Sequence, residues 1–321
     1  MKHNLKITFI ILAMFLLTQF IGIYIVDFYS SVKVIDGQVV DVDAPDLPFG
    51  LETPDLEGNA EFSQAFASIV FAFIIAVSLL LFLSRFKIEA IMKFWFFSVV
   101  ALGLGISFNV PFSQLFPNSL VESLLFGIPA IWVIALALGL ILSFFKIYRR
   151  GYLLHNFTEI LIYPGIATVF VPILNIYTII IFLILISVYD MWAVWHSGIM
   201  QKMAKYQIDK LNIFSGFFIP YLSKSVRAKL KKLKASGKLG KNKKVKVNVA
   251  VLGGGDVVFP IITAGVMLKT LGLFSAVLVV LGATAGLAYL LLSSEKKKFY
   301  PAMPFITAGI FIGMGISYLV L

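Results

Sequence analysis

The apolar residues of this chain fall into blocks long enough to cross a lipid bilayer, and this constrains its fold more than any other feature. A transmembrane helix needs roughly 17–25 predominantly apolar residues. Nine such segments can be marked, near 5–26, 62–84, 92–108, 122–145, 157–172, 174–197, 248–269, 271–292 and 303–321. Only 13% of the 321 residues are charged, about half the roughly 25% of a soluble domain. That leaves no room for a separate soluble catalytic domain. Backbone polar groups in hydrocarbon must be satisfied within the segment, so the spans are expected to be helices. The expectation is an all-α polytopic membrane protein, integral and multi-pass, with one integrated membrane domain. It divides into a bundle over 1–197, a basic loop over 198–247 and a second bundle over 248–321. The first segment is too long for a signal-peptide core and reads as a retained helix.

Basic residues give the direction. Of the 27 Lys and Arg, all but Lys33 and Lys269 fall in the N-terminus or in the alternate loops 85–93, 146–157, 198–247 and 295–298. The first loop, 27–61, carries nine Asp and Glu against one Lys. The alternation predicts the N-terminus inside and the C-terminus outside. It also accounts for most of the net charge of +11. The run SVRAKLKKLKASGKLGKNKKVKVN lacks aromatic-basic interleaving and reads as a solvated loop, not a nucleic-acid site. Its last residues, in KVKVNV, alternate with period two and predict a short strand at the membrane surface.

Several chemistries are excluded by composition. There is no cysteine, hence no thiolate nucleophile and no Cys-ligated metal, and the three histidines make no His-Glu-x-x-His pair. No metal or cofactor is expected. His196 and Trp195 read as interfacial anchors.

The acids are more informative. Glu89, Glu122, Glu159 and Glu295 sit at segment ends, and only Asp190 and Asp256 lie deep within spans. A charged residue there costs about 2.5–3.5 kcal/mol on translocon scales. With the seventh span read as a continuous helix, both carboxylates lie roughly 10–12 Å from the inner ends of the antiparallel sixth and seventh helices, at about 1.5 Å per residue. Two carboxylates sharing a low-dielectric site hold one proton between them and can serve together as base and acid. A proton relay, an ion site or a helix–helix hydrogen bond would use the same residues. Gly253, Gly254 and Gly255 precede Asp256; they weaken a helix and bare its backbone, or else serve close packing. Pro301 and Pro304 open the last span, where the residue before each proline is biased to extended geometry.

Three motifs thus stand in order on helices six, seven and nine: Tyr189-Asp190, Gly253-Gly254-Gly255-Asp256 and Pro301-Ala302-Met303. The set resembles the GxGD intramembrane aspartyl proteases of the presenilin and signal-peptide-peptidase family, in a prokaryotic, archaeal-like form. The family pattern is Tyr-Asp, Gly-x-Gly-Asp and Pro-Ala-Leu over nine spans, and Met303 departs from it where leucine is expected. The resemblance implies an aspartic endopeptidase of the cell membrane that cuts transmembrane segments of other proteins. Asp190 and Asp256 would be its catalytic pair. Tyr189, the glycines and the Pro301-Ala302-Met303 segment would support the site and bind substrate. The family contains members that work alone and members that need accessory subunits, so neither accessory subunits nor oligomeric state follow.

Two other readings use the same acids. Prepilin and preflagellin peptidases share a GxGD motif but typically carry a lysine soon after it, where this chain has Val257, Val258 and Phe259. A proton- or cation-coupled transporter would also place acids in the membrane, though no inverted repeat is visible. A rhomboid-type serine protease is disfavoured, because His196-Ser197-Gly198 gives no Gly-x-Ser-Gly pattern.

Overall fold

The computed structural model describes residues 5–35, 37–47, 56, 58–86, 89–117, 123–125, 128–149, 151–197, 214–221, 248–294 and 300–320. Among these residues nine helices are long and apolar enough to cross a membrane. They are α1 (Leu5–Phe28), α2 (Asn59–Arg85), α3 (Glu89–Leu115), α4 (Ala130–Tyr148), α5 (Tyr152–Phe170), α6 (Ile176–Trp192), α7 (Gly254–Leu271), α8 (Leu273–Ser293) and α9 (Met303–Val320). Three two-stranded antiparallel hairpins accompany them: β1 (Val32–Ile35) with β2 (Gln38–Asp41), β3 (Leu124–Leu125) with β4 (Ile128–Pro129), and β5 (Gly216–Tyr221) with β6 (Asn248–Gly253). Large apolar side chains such as Phe9, Phe71, Trp95, Phe144, Ile181, Leu281 and Ile312 remain exposed. Such a surface suits acyl chains and would be an aggregation hazard in water.

Several segment boundaries differ from those read in the sequence. The third helix runs over Glu89–Leu115, not 92–108, with Pro111 inside it. The fourth helix begins at Ala130, not near 122, because Pro129 is its N-cap and Ile128 and Pro129 pair as a strand with Leu124 and Leu125. The fifth begins at Tyr152 and holds Pro164 inside it, while Pro172 falls beyond its end. The sixth starts after Asn175, which with Thr178 forms a reciprocal capping pair, and widens into a π turn over Ala193–Ser197. The seventh is the consequential one. Residues 248–253 form strand β6, and α7 starts only at Gly254. The alternating Val249, Ala250 and Val251 suit a pleated strand, and each glycine that follows costs a helix about 1 kcal/mol. The strand expected over KVKVNV coincides with β6 at Asn248 and Val249; the rest of that stretch lies outside the described residues.

α1 runs through the middle of the bundle, packed on α5, α7 and α8. Close approaches use glycine. Gly282 of α8 and Gly309 of α9 each face the other's backbone carbonyl, and Gly165 of α5 faces that of Gly103 of α3, with no space for a methyl group. These are small-residue contacts of the kind that let membrane helices touch backbone to backbone. The two lysines that break the basic-residue alternation both have local partners. Lys33 pairs with Asp27 at 2.9 Å, and Lys269 donates to the carbonyls of Val171 and Pro172 at 2.9 and 3.1 Å. Those carbonyls lie just past α5, where a cation complements the helix dipole.

Candidate active site

α6 carries Asp190 two residues before its α-helical part ends, and the side chain is buried. Its Oδ2 accepts the backbone N–H of Met303 at 3.1 Å, and the N–H of Ala302 is directed at the same carboxylate. Met303 is the first residue of α9, and Ala302 closes its first turn by accepting from Phe305 and Ile306. The start of a helix presents backbone donors without intrahelical partners and the positive end of the macrodipole. Pro301-Ala302-Met303 thus reaches Asp190 through the backbone, with Pro301 and Met303 both buried. One turn along, Ser187 of α6 donates to Thr307 of α9 at 2.8 Å and ties the two helices together.

Asp256 is the third residue of α7, behind the N-cap Gly253. Its carboxylate folds back to accept the Gly253 N–H, one half of a capping box. This corrects the helical depth expected from the sequence. Asp256 stands in the first turn of its helix, with six extended residues before it. It nevertheless stands within electrostatic reach of Asp190. Both therefore lie at helix N-termini, Asp190 at that of α9 and Asp256 at that of its own α7.

The three glycines differ in their surroundings. A β-carbon on Gly253 would lie 3.2 Å from Asp256 Oδ2. One on Gly254 would lie 2.6 Å from the Tyr163 hydroxyl and 2.7 Å from Ser215 Oγ, whereas one on Gly255 would meet only Phe259, at 3.5 Å. Gly254→Ala is therefore expected to destabilise the protein by about 1–3 kcal/mol through overpacking. Gly255→Ala should stay within about 1 kcal/mol of wild type. Thermal unfolding in detergent separates them, and equal effects would show that Gly254 is not wedged.

The Tyr189 ring is 42% exposed and lies 6.3 Å from that of Trp192, tilted. Trp195 is exposed at the end of the same helix, as is His196. Among the described residues no group of three or more His, Asp or Glu side chains is arranged to hold a metal ion.

Two residues escaped the sequence reading. Gln19, buried in α1, donates to the carbonyl of Val257 at 3.0 Å and ties α1 to the turn that carries Asp256. Glu159, placed at a segment end in the sequence, is buried and paired with Lys146. The spacing His155, Glu159, Tyr163 puts these side chains on one face of α5, a polar stripe visible in the sequence.

Beside this centre, β5 and β6 pair with Gly216 opposite Gly253 and Tyr221 opposite Asn248. The outer edge of β5 is covered by α5, since both amide atoms of Asn156 bond the backbone of Phe218 at 2.9 Å. Backbone groups alternate in direction along an antiparallel pair. Those of Gly216 and Phe218 point to α5, so those of Val251, opposite Phe218, and of Val249, opposite Pro220, point away from β5. That edge of β6 is unpaired among the described residues.

Met303→Pro isolates the Asp190 contact. Proline is well tolerated at the first position of a helix, but it removes the N–H that Asp190 accepts. It should lower activity by about 10²-fold if the contact aims the carboxylate. Met303→Leu keeps the N–H and the volume and should cost less than about 1.5 kcal/mol. Initial rates of the activity that the resemblance implies, cleavage of a transmembrane peptide, compare the two variants, and equal losses would remove the backbone contact from the account.

Fold and site together define a polytopic membrane protein whose membrane-embedded helices bring two aspartates together. Residues 38–321 match the family model described as signal-peptide peptidase, presenilin aspartyl protease. The chain belongs to that family. Among solved structures it is similar to a presenilin family intramembrane aspartate protease determined in space group C222, with a TM-score of 0.58, 17% identity, and coverage of 98% of this chain and 99% of that one. A second structure described in the same words, in space group P2, gives a TM-score of 0.56 at 17% identity, covering 97% of each chain. At that identity the likeness concerns the fold. No curated protein sequence matches. Nothing in these comparisons favours a transporter or a prepilin-type peptidase.

Proposed function

We propose that this protein is an intramembrane aspartic endopeptidase that hydrolyses peptide bonds within transmembrane segments, with Asp190 and Asp256 as its catalytic dyad. The observation that carries the reading is the placing of two carboxylates from different helices within electrostatic reach of each other, each at a helix N-terminus, inside a bundle built for lipid. Membership of the family supports it.

In this mechanism the ionised member of the dyad takes a proton from a water molecule, whose oxygen attacks the scissile carbonyl carbon. The protonated member gives its proton to the carbonyl oxygen. The resulting diol collapses as the leaving nitrogen is protonated, the C–N bond breaks, and the dyad again holds one proton. The backbone donors of Gly253 and Met303 hold the two carboxylates in place throughout. A substrate helix shields its own peptide bonds and must be unwound first, after which its freed backbone groups need partners. The edge of β6 that is unpaired among the described residues, running directly into Asp256, supplies them by strand addition.

The protein is assigned to the cell membrane of a prokaryote, with its N-terminus inside. Its partners are the transmembrane segments it cuts. The experiment is to incubate purified protein in detergent with a transmembrane peptide, wild type beside Asp256→Ala, and to identify fragments by mass. Fragments from wild type alone support the reading; none from either, or equal amounts from both, overturns it.

A further inference from the structure

A buried polar cluster lies beside the dyad without belonging to it. Lys146 of α4 and Glu159 of α5 form an ion pair with side chains 2% and 1% exposed. The ammonium also donates to Thr158 Oγ1 at 3.3 Å and lies 3.4 Å from His155 Nδ1. The other oxygen of Glu159 accepts from the Tyr163 hydroxyl and from the Gly216 N–H, the latter at 3.1 Å. His155 Nε2 lies 2.8 Å from the Gly216 carbonyl oxygen. One face of α5 thus takes the place of a third strand along β5, holding Gly216 by both its backbone groups.

Stability alone does not account for this arrangement. A buried ion pair replaced by well-packed apolar residues usually leaves a protein as stable or more so. What the cluster does is connect. Gly216 is opposite Gly253 in the β5–β6 register, and α7 begins at the next residue. The Tyr163 hydroxyl presses on Gly254 from the side, 3.5 Å from Ser215 Oγ, and lies within electrostatic reach of Asp256. Both paths from Glu159 end on the turn that carries Asp256.

We propose that Lys146, Glu159 and Tyr163 form a positioning network that fixes the first turn of α7, and with it Asp256 relative to Asp190. The network touches neither substrate nor the reacting atoms. It holds the sheet still when a substrate strand is drawn onto the free edge of β6. The inference rests on the reading of Asp190 and Asp256 as the catalytic dyad.

The test measures kcat, KM and unfolding temperature for the full-length protein in lipid, with a transmembrane peptide as substrate. Lys146→Met/Glu159→Leu replaces the pair by apolar groups but leaves the Tyr163 hydroxyl and the Gly216 N–H without their acceptor, so it should unfold below the wild-type temperature while staying folded at the assay temperature. Its kcat should nevertheless fall by about 10–10²-fold with KM within about twofold, since small displacements of a reacting group cost that much. Lys146→Met/Glu159→Gln returns an oxygen acceptor to Gly216 and Tyr163 and should recover kcat to within about fivefold of wild type. Tyr163→Phe removes one oxygen and should lower kcat by about tenfold at unchanged KM. If the Leu variant yields no folded protein, Tyr163→Phe decides. A wild-type kcat in the folded Leu variant or in Tyr163→Phe overturns the proposal, as does a loss confined to KM or proportional to unfolding. Should wild type fail to cut, or Asp256→Ala cut normally, the dyad reading fails and the network falls with it. With both of those behaving as expected, normal network variants overturn the network alone.

Discussion

Replacing either Asp190 or Asp256 by alanine is expected to abolish cleavage of a transmembrane peptide while the helical bundle stays folded. One carboxylate cannot be base and acid in the same step, and the loss of a positioned acid–base group costs about 10²–10⁴-fold. The fold should survive because each carboxylate bonds only a few backbone donors. Asp190→Ala frees the N–H of Met303, and Asp256→Ala that of Gly253. A buried donor left without its partner costs about 1–3 kcal/mol, a loss that a nine-helix core can absorb. Asparagine sharpens the test. Asp190→Asn keeps an oxygen for the Met303 N–H and so keeps the geometry, but it cannot exchange a proton. It should be as inactive as alanine and closer to wild type in unfolding temperature. Cleavage should also have two pH limbs, with the shared proton lost at high pH and the base protonated at low pH. Near-normal cleavage by either alanine variant, or a rate still rising above about pH 9, would contradict the dyad.

The legible part of this molecule is set by the bilayer. A span must be long, apolar and internally hydrogen-bonded, and those demands are written in composition, so the nine helices could be marked from residue type alone. Asp190 was legible for the same reason, being an acid with no business in hydrocarbon unless it has a task. The surroundings of Asp256 were not. Hydropathy registers how apolar a residue is and not whether its backbone is coiled or extended, so β6 and α7 merged into one span. Alternation with a partner strand far away in sequence decides between them, and Gly216–Tyr221 is more than 25 residues upstream. The Lys146–Glu159 pair was hidden because both residues stand at the ends of apolar blocks, where charge is expected to be solvated. Only the packing of α4 against α5 buries them. Gln19 was passed over because one amide in α1 has many possible partners, and the carbonyl of Val257 is 238 residues away.

The second large effect expected is selectivity for substrate direction. Basic residues crowd alternate loops, and in the orientation proposed from them the N-terminus lies inside. In that frame α6 runs inward and α7 outward, and the start of α7, with β6 and Asp256, faces the cytoplasmic side. Pairing to the edge of β6 is directional, because parallel and antiparallel partners bond the backbone groups of Val249 and Val251 with different spacing and strength. A transmembrane helix unwound at its cytoplasmic end presents one polarity in one membrane orientation and the reverse in the other. By resemblance to presenilin-type members, the accepted substrates are expected to have their N-terminus outside, with the cut near the cytoplasmic end of the span. Two reporters with the same helix in opposite orientations, expressed in whole cells, should differ in cleavage by at least about tenfold, the factor given by 1.4 kcal/mol of lost strand pairing. The mapped cut should lie at the depth of Asp190 and Asp256. Preferential cleavage of the reporter with its N-terminus inside would overturn the assignment. So would a labelling experiment that finds the protein's own C-terminus on the side of the basic loops.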